Sequence, residues 1–208
     1  MRLFGEKGYA ATSVAQIEAA AGLSPGSGSL YKHFRSKEEL LDAGLDRLLS
    51  TTSQAIPPPV DAPDEEALIE QLRAVTNAGL RRLEHDRDLN RLVFRGLGEF
   101  PALMQRFGEK EIARVHLATT NLLAELAGPD AEDQDWAAAA LVLQGAAAHY
   151  WLLADLFGRH PTGVDEERFV SAAAALVAAV LKSPSEAVRS GSEDGKRCRE
   201  GAKDGEAG

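Results

Sequence analysis

The run Ser24-Pro25-Gly26-Ser27-Gly28-Ser29 marks a turn, because proline, glycine and serine each favour turns for a separate backbone reason. It stands between two short stretches that both read as helices, so the chain must fold back sharply within a few residues. Before the turn, Ser13 is placed as an N-cap with Gln16 three residues on to complete a capping box. Val14, Ile17 and Ala21 then recur at helical spacing, and Gly22 is placed to end that helix. After the turn, Ser27, Gly28 and Ser29 open a second short helix whose Leu30 and Phe34 point inward together. Tyr31, Lys32 and His33 are left outward. Ser36 N-caps a third helix with Glu39 at the capping-box position.

A helix laid in a DNA major groove needs small residues where backbone meets base edges, and hydroxyl or cationic groups that fix register on phosphates. This segment supplies both kinds. Lys37 sits in the first turn of the third helix, where a cation is unfavourable unless it meets an external anion such as a phosphate; a solvated lysine is the plain alternative. Val14, Ile17, Leu30 and Phe34 read as core. Gly22-Leu23-Ser24-Pro25-Gly26 also fits the nucleophile elbow of hydrolases, but that elbow needs a strand before the serine and Val14 to Ala21 is helical. Gly26-Ser27-Gly28 lacks the lysine and spacing of a phosphate loop.

The order Phe4, Gly8-Tyr9, Thr12-Ser13-Val14, Ile17, Ala21-Gly22, Ser24, Leu30-Tyr31, His33-Phe34, Ser36-Lys37 and Leu40-Leu41 resembles the TetR family of bacterial transcriptional regulators over Met1 to about Leu49. The resemblance implies that Thr12 or Ser13 meets DNA at the start of the first reader helix. It places Ser27, Gly28 and Ser29 at base edges, Tyr31 and His33 at the backbone, and Lys37 on a phosphate; Lys32, outward beside them, is a further DNA-binding candidate. Against the family's pattern the chain starts near the end of the first helix, so that either the true start lies upstream or the domain is docked less firmly, and the turn here is longer than the family's commonest one.

The remaining chain is helical in pattern, with almost no alternating strand signal. Helices are expected from Ser36 to about Ala55, Asp64 to about Arg87, Asp88 to Glu99, Pro101 to about Ala127, Glu132 to about Phe157 and Asp165 to about Lys182. With those of the reader this makes an all-α protein of about nine helices. Ile56-Pro57-Pro58-Pro59-Val60-Asp61-Ala62-Pro63 breaks the connecting helix. The expected division is residues 1–49 as a helix-turn-helix domain, 50–182 as a helical effector-binding and dimerisation domain, and 183–208 as a polar tail expected to be disordered.

Net charge is −9 over 208 residues, which looks wrong for a DNA reader until its distribution is considered. Met1 to Ser50 holds six Lys/Arg against six Asp/Glu, so the acidic excess begins at Thr51. Lys32, His33, Arg35 and Lys37 then form a small basic patch, from which modest, salt-dependent affinity is expected. Trp136 to Leu153 is the longest apolar run, but Gln144, His149 and seven alanines suit a close-packed interior helix better than a bilayer span. With no signal sequence before the first helix and a single cysteine, Cys198, the expected compartment is the cytoplasm.

The alanine-rich last two helices offer close-approach faces with Leu141, Trp151, Phe169, Leu176 and Val180 as knobs, suited to a homodimer interface or to packing inside one subunit. A two-fold reader of a palindromic operator in double-stranded DNA favours the dimer. The resemblance further implies a small-molecule effector, for which Phe94, Phe100, Met104, Phe107, His116, Asn121, Gln144, His149 and Tyr150 are the candidate lining; the same Phe and Met residues also suit plain core. His85, His116, His149 and His160 show no metal spacing on one helix, and no cofactor motif or nucleophile-base pair stands out. The leading expectation is a homodimeric repressor released from its operator by a hydrophobic effector with a polar end. The alternatives are a DNA-binding regulator of the same fold without an effector, or an activator, and more remotely a small helical enzyme.

Overall fold

A computed structural model describes residues 1–51, 57–58, 64–95, 97–128 and 134–182. Most of the proline-rich linker and the tail from residue 183, with the disorder expected there, lie outside the described residues. Among the described residues there is no strand, and nine α-helical segments follow one another: α1 (Arg2–Lys7), α2 (Val14–Ala20), α3 (Lys37–Thr51), α4 (Glu65–His85), α5 (Arg87–Arg95), α6 (Pro101–Phe107), α7 (Ala113–Ala127), α8 (Trp136–Phe157) and α9 (Glu166–Lys182). A π turn, Gly108–Ile112, joins α6 to α7 without a break, so Pro101 to Ala127 is one continuous helix as its uninterrupted pattern predicts.

Local chemistry sets most of the boundaries. Ser13 accepts the Gln16 N–H at 3.2 Å while the Gln16 side chain accepts the Ser13 N–H at 3.0 Å, the expected capping box. Gly22, at φ 74°, closes α2: its N–H donates to the Ala19 carbonyl and that of Leu23 to the Glu18 carbonyl. Asp64 and Asp135 cap α4 and α8 by accepting the Ala67 and Ala138 N–H groups, both at 2.9 Å.

Three cores form. The first joins Phe4 and α3 residues Leu41 and Leu45 to Leu89 and Leu92 of α5 and to Leu97, Leu103 and Phe107. The reader end of the chain therefore shares its interior with α5 and α6, across the boundary that composition suggests near residue 50. The second core packs α4 against α7, α8 and α9 through Leu72, Leu123, Ala140 and Ala174. The third gathers Leu80, Ala147, Tyr150, Trp151 and Val170.

Charged pairs fasten α5 to α8. The Arg91 guanidinium grips the Asp155 carboxylate with two donors, each at 2.8 Å, and Arg87 approaches the same carboxylate at 3.3 Å. The Asp155 side chain is only 5% exposed, so this fork works where solvent screens little. The hydrogen bond to Asp155 also holds the Arg91 pKa above its ordinary value.

The last two helices are less enclosed than their composition suggests. α8 is long and apolar enough to cross a membrane by length and composition, yet only 28% of its most apolar window is buried. Ala137, Leu141, Val142, Gly145 and Ala146 lie along one open face, so the expected interior helix has an uncovered side. On α9, Ala172, Leu176 and Val180 do the same. Of the residues expected at an interface, Leu141 and Leu176 are 64% and 70% exposed and Val180 is exposed too. Trp151 is instead buried, its indole N–H donating to Glu84 of α4 at 3.1 Å, and Phe169 stacks on Tyr150 of α8; both serve the third core.

α1 meets α5 backbone to backbone. A Cβ on Gly5 would lie 2.6 Å from the Asp88 carbonyl oxygen, closer than such atoms ever stand. Helix propensity alone would make Gly5→Ala stabilising by about 1 kcal/mol. The contact predicts the opposite: a loss of about 1–3 kcal/mol from overpacking, read from urea unfolding. A gain in stability would show that α1 moves off α5 freely.

Candidate nucleic-acid interface

The turn after α2 is built around a carboxylate that the sequence pattern does not single out. Glu18 is fully buried, and its Oε2 accepts the Gly26 N–H at 2.7 Å while Oε1 accepts the Leu30 N–H at 3.2 Å. The Ser29 hydroxyl donates to Oε1 at 3.4 Å. These donors, the Leu30 N–H foremost, hold the Glu18 pKa below its ordinary value against the opposing effect of burial. Pro25 and Gly26 occupy the centre of a turn closed by the Ser27 N–H on the Ser24 carbonyl at 3.2 Å, with Gly26 at φ 76° as a type II turn requires. Gly28, at φ 69°, then starts the next element. A signal for Glu18 exists in retrospect: it lies four residues after Val14, on the inward side of α2.

That next element is shorter than the expected helix. Ser29–Lys32 forms a single 3₁₀ turn, with Tyr31 N–H on the Gly28 carbonyl and His33 N–H on the Leu30 carbonyl, both at 3.0 Å. Leu30 is buried beneath it and Phe34 half-buried, as their spacing predicts. Tyr31, 54% exposed, projects outward with Lys32, His33 and Arg35. Ser27 is exposed and Ser29 partly so, their hydroxyls 2.7 Å apart. Ser24 follows a helix cap rather than a strand, so the nucleophile-elbow match is a coincidence of spelling.

Two residues expected to meet DNA are turned inward. Thr12 is fully buried, and its hydroxyl lies 2.7 Å from the Gly8 carbonyl and 3.1 Å from that of Leu3, so it closes α1 onto the next loop. The Lys37 ammonium donates to the Tyr9 and Thr12 carbonyls at 2.9 and 3.0 Å and sits 4.1 Å from the Tyr9 ring centroid. Carbonyl oxygens of its own chain thus occupy two of the three Lys37 donors. Ser13 remains exposed, its hydroxyl engaged by the Gln16 N–H. Tyr9 in turn meets Phe4 and Phe100 ring to ring.

Farther along, a cavity of about 70 Å³ lies between α4, α7 and α8. Val75, Val115, Leu143 and Ala147 give it apolar walls, with Thr76, Thr119, Gln144 and Arg82 as its polar lining. Gln144 donates to the Thr119 hydroxyl at 2.8 Å and to the Val115 carbonyl at 3.2 Å, and its Oε1 lies 3.3 Å from His116 Nδ1. Arg82 pairs with Glu111 of the π turn, which also lies 3.3 Å from Arg114. Burial raises the pKa of nearby Asp86, against the opposing charges of Arg82 and His85.

Of the nine residues expected to line an effector site, Gln144 lines this cavity and His116 backs it. Met104 and Phe107 pack into the first core, because α6 lies under the reader. Phe100 also joins that core's edge and borders an open, acidic groove with Glu38, Glu39 and Asp42. Phe94, Asn121 and His149 are exposed, and Tyr150 is buried between Phe169 and His160 with its hydroxyl donating to the Val164 carbonyl. The other lining residues, among them the polar Thr76, Arg82 and Thr119, were not singled out from sequence, because none carries a pattern distinct from ordinary helix positions. Among the described residues no group of histidine, cysteine and acidic side chains could hold a metal.

A short helix and a 3₁₀ turn joined by a tight turn, with an exposed aromatic-basic tip and a helical body whose core the reader shares, fit a helix-turn-helix DNA-binding protein. Residues 1–43 match the family described as bacterial regulatory proteins, tetR family, and residues 65–187 match the C-terminal domain of the HTH-type transcriptional dual regulator CecR. The chain therefore belongs to the TetR family and is a DNA-binding transcriptional regulator; neither matched family is one of enzymes. No curated protein matches it at a significant level.

Glutamine at position 18 would turn an amide NH₂ against a backbone donor. Glu18→Gln is predicted to lower Tm and weaken DNA binding on the order of tenfold. Because the folded pKa is depressed, this stabilisation is complete above the unfolded value and lost as pH falls through the folded one. The Tm gap between wild type and variant should thus be constant near neutrality and shrink only below about pH 4.5. A second comparison separates tip from staple: Lys32→Ala should leave Tm unchanged and reduce the salt dependence of DNA binding by about one ion, whereas Lys37→Ala should lower Tm. Equal Tm in both variants would return Lys37 to the DNA surface.

Proposed function

We propose that this regulator acts as a homodimeric repressor that reads a palindromic operator and is released by a small, mostly apolar effector. The observation that carries the dimer is the open face shared by α8 and α9, where Leu141, Val142, Leu176 and Val180 stand exposed among alanines. Exposed apolar surface of this kind on helices is unfavourable in water and fits a second copy of itself across a two-fold axis. Two readers then address half-sites one turn of DNA apart.

At each reader, Ser13 and the segment Ser27, Gly28 and Ser29 are assigned to phosphate and base edges, with Tyr31, Lys32, His33 and Arg35 on the backbone. A protein with this task works in the cytoplasm, beside the genome. The cavity between α4, α7 and α8 supports an effector over a constitutive factor, because a filled interior would offer no seat. At about 70 Å³ it is well under the volume of a drug-sized site, so an effector is either very small or widens it.

Purified protein incubated with fragments of its own upstream region, at two salt concentrations, should give a sequence-selective, salt-sensitive shift. Introducing charge into the α8–α9 face by Leu141→Glu with Leu176→Glu should halve the mass seen in light scattering and lower operator affinity by more than about tenfold. A wild type that runs as a monomer, or a double variant that stays dimeric, would remove the interface assignment.

A further inference from the structure

The effector cavity has one charged residue in its wall, Arg82, whose side chain is only 13% exposed. Its partner Glu111 is 10% exposed and belongs to the π turn between α6 and α7. Separating such a pair leaves an uncompensated buried charge, which is costly, so a neutral ligand gains little by displacing Glu111. A carboxylate-bearing ligand differs: it can take the planar guanidinium fork itself. Glu111 then retains Arg114, 3.3 Å from its other oxygen and 48% exposed. The exchange keeps both carboxylates paired. Around Arg82, the apolar walls from Val75, Leu143 and Ala147 suit a hydrocarbon or aromatic body.

Resting on the reading of this protein as an effector-controlled regulator, we propose that the cavity seats a small apolar monocarboxylate whose carboxylate replaces Glu111 at Arg82. Glu111 shifts toward Arg114, and the π turn that carries it moves. That turn continues directly into α6, where Arg106 pairs with Asp42 and lies 3.4 Å from Asp46, both on α3 of the reader. The ligand's charge thus acts on the reader through one ion-pair exchange and one helix.

The test uses the full chain with benzoate and hexanoate beside their neutral counterparts benzamide and hexanamide. Thermal shift and calorimetric titration should show at least one carboxylate raising Tm and binding about tenfold tighter than its amide. Arg82→Gln should erase that preference. Glu111→Gln, which removes the competing charge, should tighten carboxylate binding severalfold, an effect that a merely structural role for the pair would not produce. Equal binding of acid and amide, no binding of either acid, or unchanged or weaker binding in Glu111→Gln would each overturn the proposal, and the last holds even if Arg82→Gln fails to fold. Selection of duplexes from random DNA is run in parallel. Failure there removes the repressor reading and leaves the carboxylate seat standing, whereas selected DNA without a carboxylate preference removes the seat alone.

Discussion

The reader depends on one buried carboxylate. A turn with two glycines at positive φ and a 3₁₀ turn of four residues has backbone donors that no regular helix satisfies, and ordering it costs conformational entropy. Glu18 answers both problems by accepting the Gly26 and Leu30 N–H groups from either side of the turn. Tyr31, Lys32 and His33 are held outward because the backbone beneath them is held to α2. A longer recognition helix would stabilise itself; this one is stabilised from behind.

The second constraint is that the reader has no interior of its own. Phe4, Leu41 and Leu45 complete a core whose other half is α5 and α6, and Gly5 lets α1 touch the α5 backbone. α5 is in turn clamped to α8 through Arg91 and Asp155. The reader is thus continuous with the body through packed helices as well as through the linker.

What could be read from the sequence was what is local. The Ser13–Gln16 capping box, the Gly22 stop and the inward Leu30 depend on residues a few positions apart, and all three are present. The family, legible from spacing in the first fifty residues, is matched there and in the body. Lys37 was illegible because its acceptors, the carbonyls of Tyr9 and Thr12, lie more than twenty residues away and belong to no pattern. Glu18 was overlooked because a glutamate on a short helix ordinarily faces water. Aromatic residues misled the pocket reading for a related reason: Phe107 and Tyr150 fill cores, while the cavity is bordered by Thr119, Gln144 and Arg82, whose convergence arises only when three helices pack. Trp151 and Leu141 share α8, but which faces outward depends on where α4 lies.

The continuous helix from Pro101 to Ala127 serves two separate cores, and its π turn is what keeps it in phase with both. Its buried positions Leu103, Phe107, Glu111, Thr119 and Leu123 fall at multiples of four residues, with Leu122 beside the last. In an unbroken α-helix each such step over-rotates by roughly 40°, so the buried line would wind off toward solvent. A turn closed by i→i+5 bonds holds more residues per revolution and takes part of that drift back. Tightening the same turn to α geometry would rotate one end of the helix about its axis relative to the other. A change of one residue in the winding at Glu111 would therefore turn the surface that α6 presents to the reader.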